Sequence, residues 1–350
     1  MAEPIIARLL VIRFGAMGDL LHVAPSLAAV GRVSPQTEIH VLTAPLYEPL
    51  MQALPDVARV WTWDKATGWP GLWRLAGPLR VQGFEAVVNL HPSLRTWLFS
   101  HWVGAARQAT YRKEKLARRG AAQRSLTRLH AVDDFARPFR HLFAAMGDLR
   151  PPTLPVHPLS PDLSRSGRWI GLIPGVGHHR ANRAWPQPTW QELMHGLTGL
   201  DPDLNLVLLG GPDEAGLAGQ LRDALPPALR ARVTVACGPQ SILETAAMMA
   251  ACELVVGGDT GPLHLAAAAG VPVIGLYGPT SAQRTGPRGV NALNTELTPP
   301  TELACWPCEA PFCPLRGAEE LACMREMTPA SVLAACRRVL AGEQQKALGW

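Results

Sequence analysis

No uninterrupted apolar run in the 350 residues is long enough to cross a bilayer. The longest, Leu265–Tyr277, is broken by Gly270 and Pro272 and falls short of the roughly 18 residues a span needs. The opening MAEPIIARLLVIRFG lacks the charged start and apolar stretch of a secretory leader. With neither feature, a cytosolic chain is expected, and its seven cysteines then read as thiols or metal ligands rather than disulfides. Lysine is scarce, so the positive charge is mostly arginine. The halves show no sequence repeat. The glycines of Ile173-Pro174-Gly175-Val176-Gly177 do not complete a dinucleotide fingerprint, which needs a further glycine opening a helix. What the chain does have is 47% hydrophobic and 17% charged residues, a composition with ample core and enough length for two domains.

Short apolar runs alternate with helical patterns along most of the chain. Arg8–Arg13, 39–42, 58–61, 86–90 and 108–111 read as strands, with helices between them and a closing helix at 135–146. Five prolines between Asp148 and Arg168 mark a linker. The alternation then resumes with strands at 169–173, 204–209, 233–236, 254–256 and 273–277, and the chain ends in an amphipathic helix at 329–340. This order predicts an α/β protein of two doubly wound parallel-sheet domains, 1–150 and 169–327, joined by a linker at 151–168. A ligand cleft is expected between their strand carboxyl ends.

The chain is organised around Glu253–Gly289. A buried strand runs into Gly257-Gly258, then Asp259-Thr260 at the start of the helix Leu263–Ala269. A helix N-terminus at the carboxyl edge of a parallel sheet suits a phosphate, because free N–H groups and the helix dipole face it. An ordinary capped strand–helix unit would explain the turn, but not the polar His264 inside an apolar helix. In the first half, Asp19 follows Gly18 just after the first strand. It is placed either to cap the next helix or to serve as a general base.

Arg180 and Arg183, ahead of Trp185-Pro186, suit a diphosphate. Of the acids Asp213 and Glu214, one is placed to hold ribose hydroxyls and the other to cap a helix. Residues 105–140 carry ten basic against three acidic residues, which points to an anionic partner or to a solvated arginine face. Cys305, Cys308, Cys313 and Cys323 form a clustered quartet for zinc, an iron–sulfur cluster or free thiols. Cys237, Cys252 and Cys336 look like core fillers.

Three stretches in this order resemble glycosyltransferase family 9, the lipopolysaccharide heptosyltransferases. They are RLLVIRFGAMGDLLHVAPSLA at 8–28, Trp185-Pro186 with a basic residue two positions earlier, and Asp259-Thr260-Gly261-Pro262-Leu263-His264 with Tyr277-Gly278-Pro279-Thr280. Two positions depart from the pattern: Arg183 stands where lysine is usual, and Asn89 where aspartate is frequent. The resemblance implies a GT-B fold, two Rossmann-like domains facing a central cleft, with residues 328–350 returning to the first domain. It implies inverting transfer of a heptose from ADP-heptose to a phosphorylated, lipid-linked glycan of the lipopolysaccharide inner core, with no cofactor required for catalysis. Asp19 would be the base. Gly18, Arg183, Glu214, Asp259, Thr260, Gly261 and His264 would bind the donor, and Arg112, Lys113, Arg118 and Arg119 the acceptor. The work would be done in the cytoplasm, in peripheral contact with the inner membrane face and without nucleic acid. Two other readings compete: a transferase using a different nucleotide sugar, and a non-catalytic protein that binds a metal or polyanion.

Overall fold

The computed structural model describes residues 6–112, 129–159, 167–291, 293–300 and 303–343. It divides into two compact units, Met1–Leu116 with Ala131–Pro155, and Ala117–His130 with Val156–Trp350.

In the first unit, β1 (Arg8–Ile12), β2 (Glu38–Thr43), β3 (Arg59–Thr62), β4 (Ala86–Asn89) and β5 (Arg107–Thr110) form one sheet in the order β3-β2-β1-β4-β5. Every pairing is parallel. Helices cover both faces of such a sheet, so the central strands are continuous apolar runs rather than alternating ones, as LLVI of β1 illustrates. The covering helices include α1 (Met17–Val33), α2 (Gly68–Val81), α3 (Leu94–Val103) and α4 (Ala131–Leu142). Helix α3 starts in a capping box between Ser93 and Thr96 and stops at Gly104, whose φ of 84° suits a residue without Cβ. Leu72 and Leu79 of α2 and Phe99 and Val103 of α3 pack on Leu10 and Val87 in one apolar cluster.

The second unit holds β6 (Arg168–Ile173), β7 (Leu204–Gly210), β8 (Val233–Cys237), β9 (Leu254–Gly258), β10 (Val273–Leu276) and β11 (Thr295–Leu297). Their order is β11-β10-β9-β6-β7-β8, again parallel throughout. Read from β8, this is the doubly wound dinucleotide-fold order, and the first sheet repeats it with one strand fewer. Helices α5 (Gln187–Thr198), α6 (Ala215–Asp223), α7 (Ile242–Ala250), α8 (Gly261–Ala268) and α9 (Pro329–Leu340) belong to this unit.

Helix α9, within the stretch expected to return to the first domain, packs one face into the core of the second unit. Val332, Ala335, Cys336 and Val339 form a single stripe at i, i+3, i+4 and i+7. They are buried with Trp190, Leu193 and Leu197 of α5, within the second unit's own core. No helix among the described residues is long and apolar enough to cross a membrane.

Candidate functional site

In each sheet the chain reverses its winding beside the first strand: between β1 and β4 in one unit, and between β6 and β9 in the other. Ligands bind outside the carboxyl ends of strands at such switch points. Asp19 lies at the first of these places and the group around Asp259 at the second.

At the end of β1, Gly15 takes φ 130° beside Tyr47, where a Cβ would come within 2.6 Å of the phenol ring. The turn delivers Asp19 into the first turn of α1, where Oδ2 accepts from the Ala16 N–H at 3.3 Å. The same oxygen pairs with Arg13, whose other arm donates to the Leu90 carbonyl at 2.6 Å and whose guanidinium lies over Phe135. Among the described residues, Oδ1 of Asp19 makes no hydrogen bond, and the side chain is 35% exposed. One carboxylate oxygen is thus anchored and the other open. Gly18 is buried one position before it.

From the neighbouring strand end, His91 reaches the same place, its ring 5.1 Å from Phe14. Burial, with Arg13 and Lys65 nearby, holds the His91 imidazole below its ordinary pKa, and Asp19 opposes this only in part. The Tyr47 phenol is pushed up by burial and by the Asp19 charge, so it stays protonated. Arg13, Tyr47 and His91 escape the sequence reading. His91 had a signal, lying two residues beyond the last residue of a strand adjoining a switch point.

In the second unit, Asp259 directly follows β9 and is 4% exposed. Its Oδ2 accepts from Arg183 Nη1 at 2.9 Å and from Thr285 at 3.3 Å, and Oδ1 lies 3.6 Å from His264 Nε2. Arg183 also donates to the Asp259 carbonyl at 2.7 Å. Burial pushes the Asp259 carboxyl up, but His264 and Arg183 outweigh it and hold the group below the usual carboxylate range. Thr260 then starts α8 without capping it. Its Oγ1 turns back to the Gly258 carbonyl, so the Thr260 side chain leaves the start of α8 uncapped. Arg183, Asp259, Thr260, Gly261 and His264 are therefore brought together.

Glu214 stands beyond β7, its stem packed over Gly175 and Gly210. Its Oε2 accepts from the Gly211 N–H at 2.8 Å, so Glu214 caps the start of the helical turn at 212–214. Arg112 is exposed just past β5. Lys113, Arg118 and Arg119 lie outside the described residues.

Cys305, Cys308, Cys313 and Cys323 line one small cavity, yet no group of three or more His, Cys, Asp or Glu among the described residues is placed to hold a metal ion. The metal reading of the quartet is corrected accordingly. Cys313 accepts from the Leu321 N–H at 3.3 Å, and burial with neighbouring thiols pushes Cys305 up and Cys323 up to about 11. Burial also pushes Cys237, Cys252 and Cys336 up to about 12.

Comparison with known proteins agrees with this fold. The lipopolysaccharide core heptosyltransferase OpsX of Haemophilus influenzae is 23% identical over 290 residues, 80% of this chain and 81% of its own length. The structure of E. coli ADP-heptose lipopolysaccharide heptosyltransferase II superposes with a TM-score of 0.76 at 19% identity, covering 96% of this chain and 99% of that one. E. coli heptosyltransferase WaaC, solved with ADP-2-deoxy-2-fluoro heptose, gives a TM-score of 0.68 at 19% identity over 95% and 99%. The profile of glycosyltransferase family 9 (heptosyltransferase) matches residues 72–309. The chain belongs to glycosyltransferase family 9, and the protein is a glycosyltransferase.

Proposed function

We propose that this enzyme transfers a heptose from ADP-heptose to a phosphorylated, lipid-linked glycan acceptor of the lipopolysaccharide inner core, with inversion at the anomeric carbon. The observation that carries the reading is the uncapped start of α8 at the β6/β9 switch point, flanked by Arg183 and the buried Asp259–His264 pair. Backbone N–H groups and a fixed guanidinium aimed at one place stabilise a departing diphosphate where its charge develops, and the field is in place before reaction.

In this reading the acceptor hydroxyl attacks the anomeric carbon and the bond to the diphosphate oxygen breaks. The open Oδ1 of Asp19 takes the hydroxyl proton, while Arg13 and the Ala16 N–H hold Oδ2. Gly18 lets the turn approach the donor. Thr260, Gly261 and His264 meet the diphosphate, Asp259 serves the sugar hydroxyls and fixes Arg183, and Glu214 meets the ribose. Arg112, with Lys113, Arg118 and Arg119 of the same basic stretch, serves the acceptor's phosphates. Helix mouth and arginine supply the positive field, so the step as written needs no cofactor.

The names of the relatives support the donor and acceptor classes. The test is a melting-temperature panel of ADP-heptose, ADP, UDP, GDP and dTDP, in which ligand at a hundred times its dissociation constant adds about 2.7 kcal/mol. Only the ADP species should stabilise. Asp19→Asn should keep that stabilisation and lose about 10²–10⁴-fold in turnover. Stabilisation by a different nucleotide would replace the donor, and equal loss of binding and turnover would remove Asp19 as base.

A further inference from the structure

Five of the eleven exposed large hydrophobic side chains among the described residues sit on just two helices of the first unit, α2 and α3: Trp69, Val81, Leu94, Trp97 and Trp102. Two of them, Trp69 and Trp102, are joined through the half-buried Trp73 in a ladder of three indoles. Trp69 meets Trp73 at 6.3 Å between ring centroids, Trp73 meets Trp102 at 4.0 Å, and the Arg95 guanidinium lies 5.0 Å over Trp69. Trp102 remains 51% exposed, Leu94 71% and Val81 84%.

The charge on this face has one sign. The two helices carry Arg74, Arg80 and Arg95 and neither has an aspartate or glutamate. Past Trp97 and His101 of α3 lies a cavity of about 500 Å³ that Arg112, Arg137 and His141 also line. A soluble surface has no reason to concentrate tryptophan in this way. Indole, apolar in body with one polar N–H, favours the boundary between hydrocarbon and headgroups. Arginines extending from an apolar face favour lipid phosphates. A second copy of the chain fits less well, because a two-fold contact would set this arginine-bearing face against itself.

We infer that the α2–α3 face is a docking surface for an anionic bilayer, with its tryptophans at headgroup level and its arginines on lipid phosphates. The inference deepens the lipid-linked-acceptor reading, since it places the first unit, which carries Asp19, at the surface where such an acceptor resides. Its test needs neither donor nor acceptor, so the two readings fail separately.

Full-length protein is floated with vesicles of phosphatidylethanolamine and phosphatidylglycerol, and with vesicles of phosphatidylcholine alone. Wild type should partition onto the anionic vesicles at least about tenfold better, and added salt should weaken that binding. Trp97→Ser with Trp102→Ser should reduce partitioning by about tenfold or more. Arg80→Glu with Arg95→Glu keeps the apolar area, and so tests the surface even if the tryptophan variant is poorly folded. It should reduce partitioning similarly and remove the preference for anionic lipid. Wild type that stays off anionic vesicles, or variants that partition like wild type, would overturn the inference. So would a solution dimer that either variant dissociates, since the face would then belong to a second copy.

Discussion

Replacing Arg183 by methionine keeps most of the side-chain volume and removes the charge from a carboxylate that is only 4% exposed. Arg183 Nη1 stands 2.9 Å from Asp259 Oδ2 and 2.7 Å from the Asp259 carbonyl, so one change deletes an ion pair and a charge-assisted hydrogen bond. Two unit charges about 4 Å apart at an effective dielectric near 20 interact by about 4 kcal/mol, and breaking a buried pair from one side costs about 3–5 kcal/mol. His264 stays 3.6 Å from the other carboxylate oxygen, which places the expected loss near the lower end of that range. For a unit of roughly 150–250 residues, about 3 kcal/mol corresponds to a fall of roughly 6–12 °C in its transition.

The pH dependence fixes the sign. In wild type the Asp259 carboxyl is held below its unfolded value, so its contribution is present above about pH 4 and is lost as pH falls through the folded value. Without Arg183 one of the charges that hold the carboxyl down is gone, so it rises above its wild-type value. The variant's penalty is then absent below about pH 4 and grows as pH rises through the raised value. Urea unfolding at pH 8 and pH 4, followed by the fluorescence of buried Trp185 and Trp190, should show a wide gap between the two proteins at pH 8 and a narrow one at pH 4. A gap under about 1 kcal/mol at pH 8, or an equal gap at both pH values, would refute the reasoning.

Gly275→Ala tests the packing beneath the site. The added Cβ would lie 2.6 Å from the Tyr277 ring and 3.0 Å from Leu263, so a loss of about 1–3 kcal/mol is expected in thermal unfolding, and an unchanged melting temperature would contradict the close approach. In native protein at pH 8, an aromatic disulfide reagent should label the part-buried Cys305, Cys308 and Cys313 and leave Cys252 and Cys336 unreacted until unfolding. Rapid labelling of all seven thiols would contradict their burial.

Much of the fold is legible because parallel strands buried on both faces are near-continuous apolar runs, and Leu206–Leu209 is such a run. Helix α3 is readable to the residue, since Ser93 opens it and Gly104 closes it. Helix α4, read as 135–146, begins at Ala131 because Asp133 and Asp134 belong to its first turn, where acidic residues favour the dipole. Strand β11 has only Thr295–Leu297 and follows a glycine- and proline-rich loop, leaving no periodicity to detect.

The second-unit site is readable because strand, glycine turn and helix follow one another in sequence. The surroundings of Asp19 are less so: Arg13 reads as the tail of a strand, and His91 arrives from β4, 72 positions later. Only the pairing of β1 with β4 makes them neighbours. The packing partner of the last helix is hidden for a related reason. An amphipathic stripe declares that a helix packs, but not on which of two sheets.

Helix α8 is apolar along nearly its whole length, with Leu263 through Ala268 buried. Its dipole therefore sits in a medium of low polarisability, where mobile ions do not penetrate. The electrostatic attraction it offers a diphosphate should thus persist as ionic strength rises, while attraction from the solvent-facing arginines of the first unit decays over a screening length of about 8–10 Å. Donor capture and acceptor capture would then respond differently to salt, the first holding steady where the second fades.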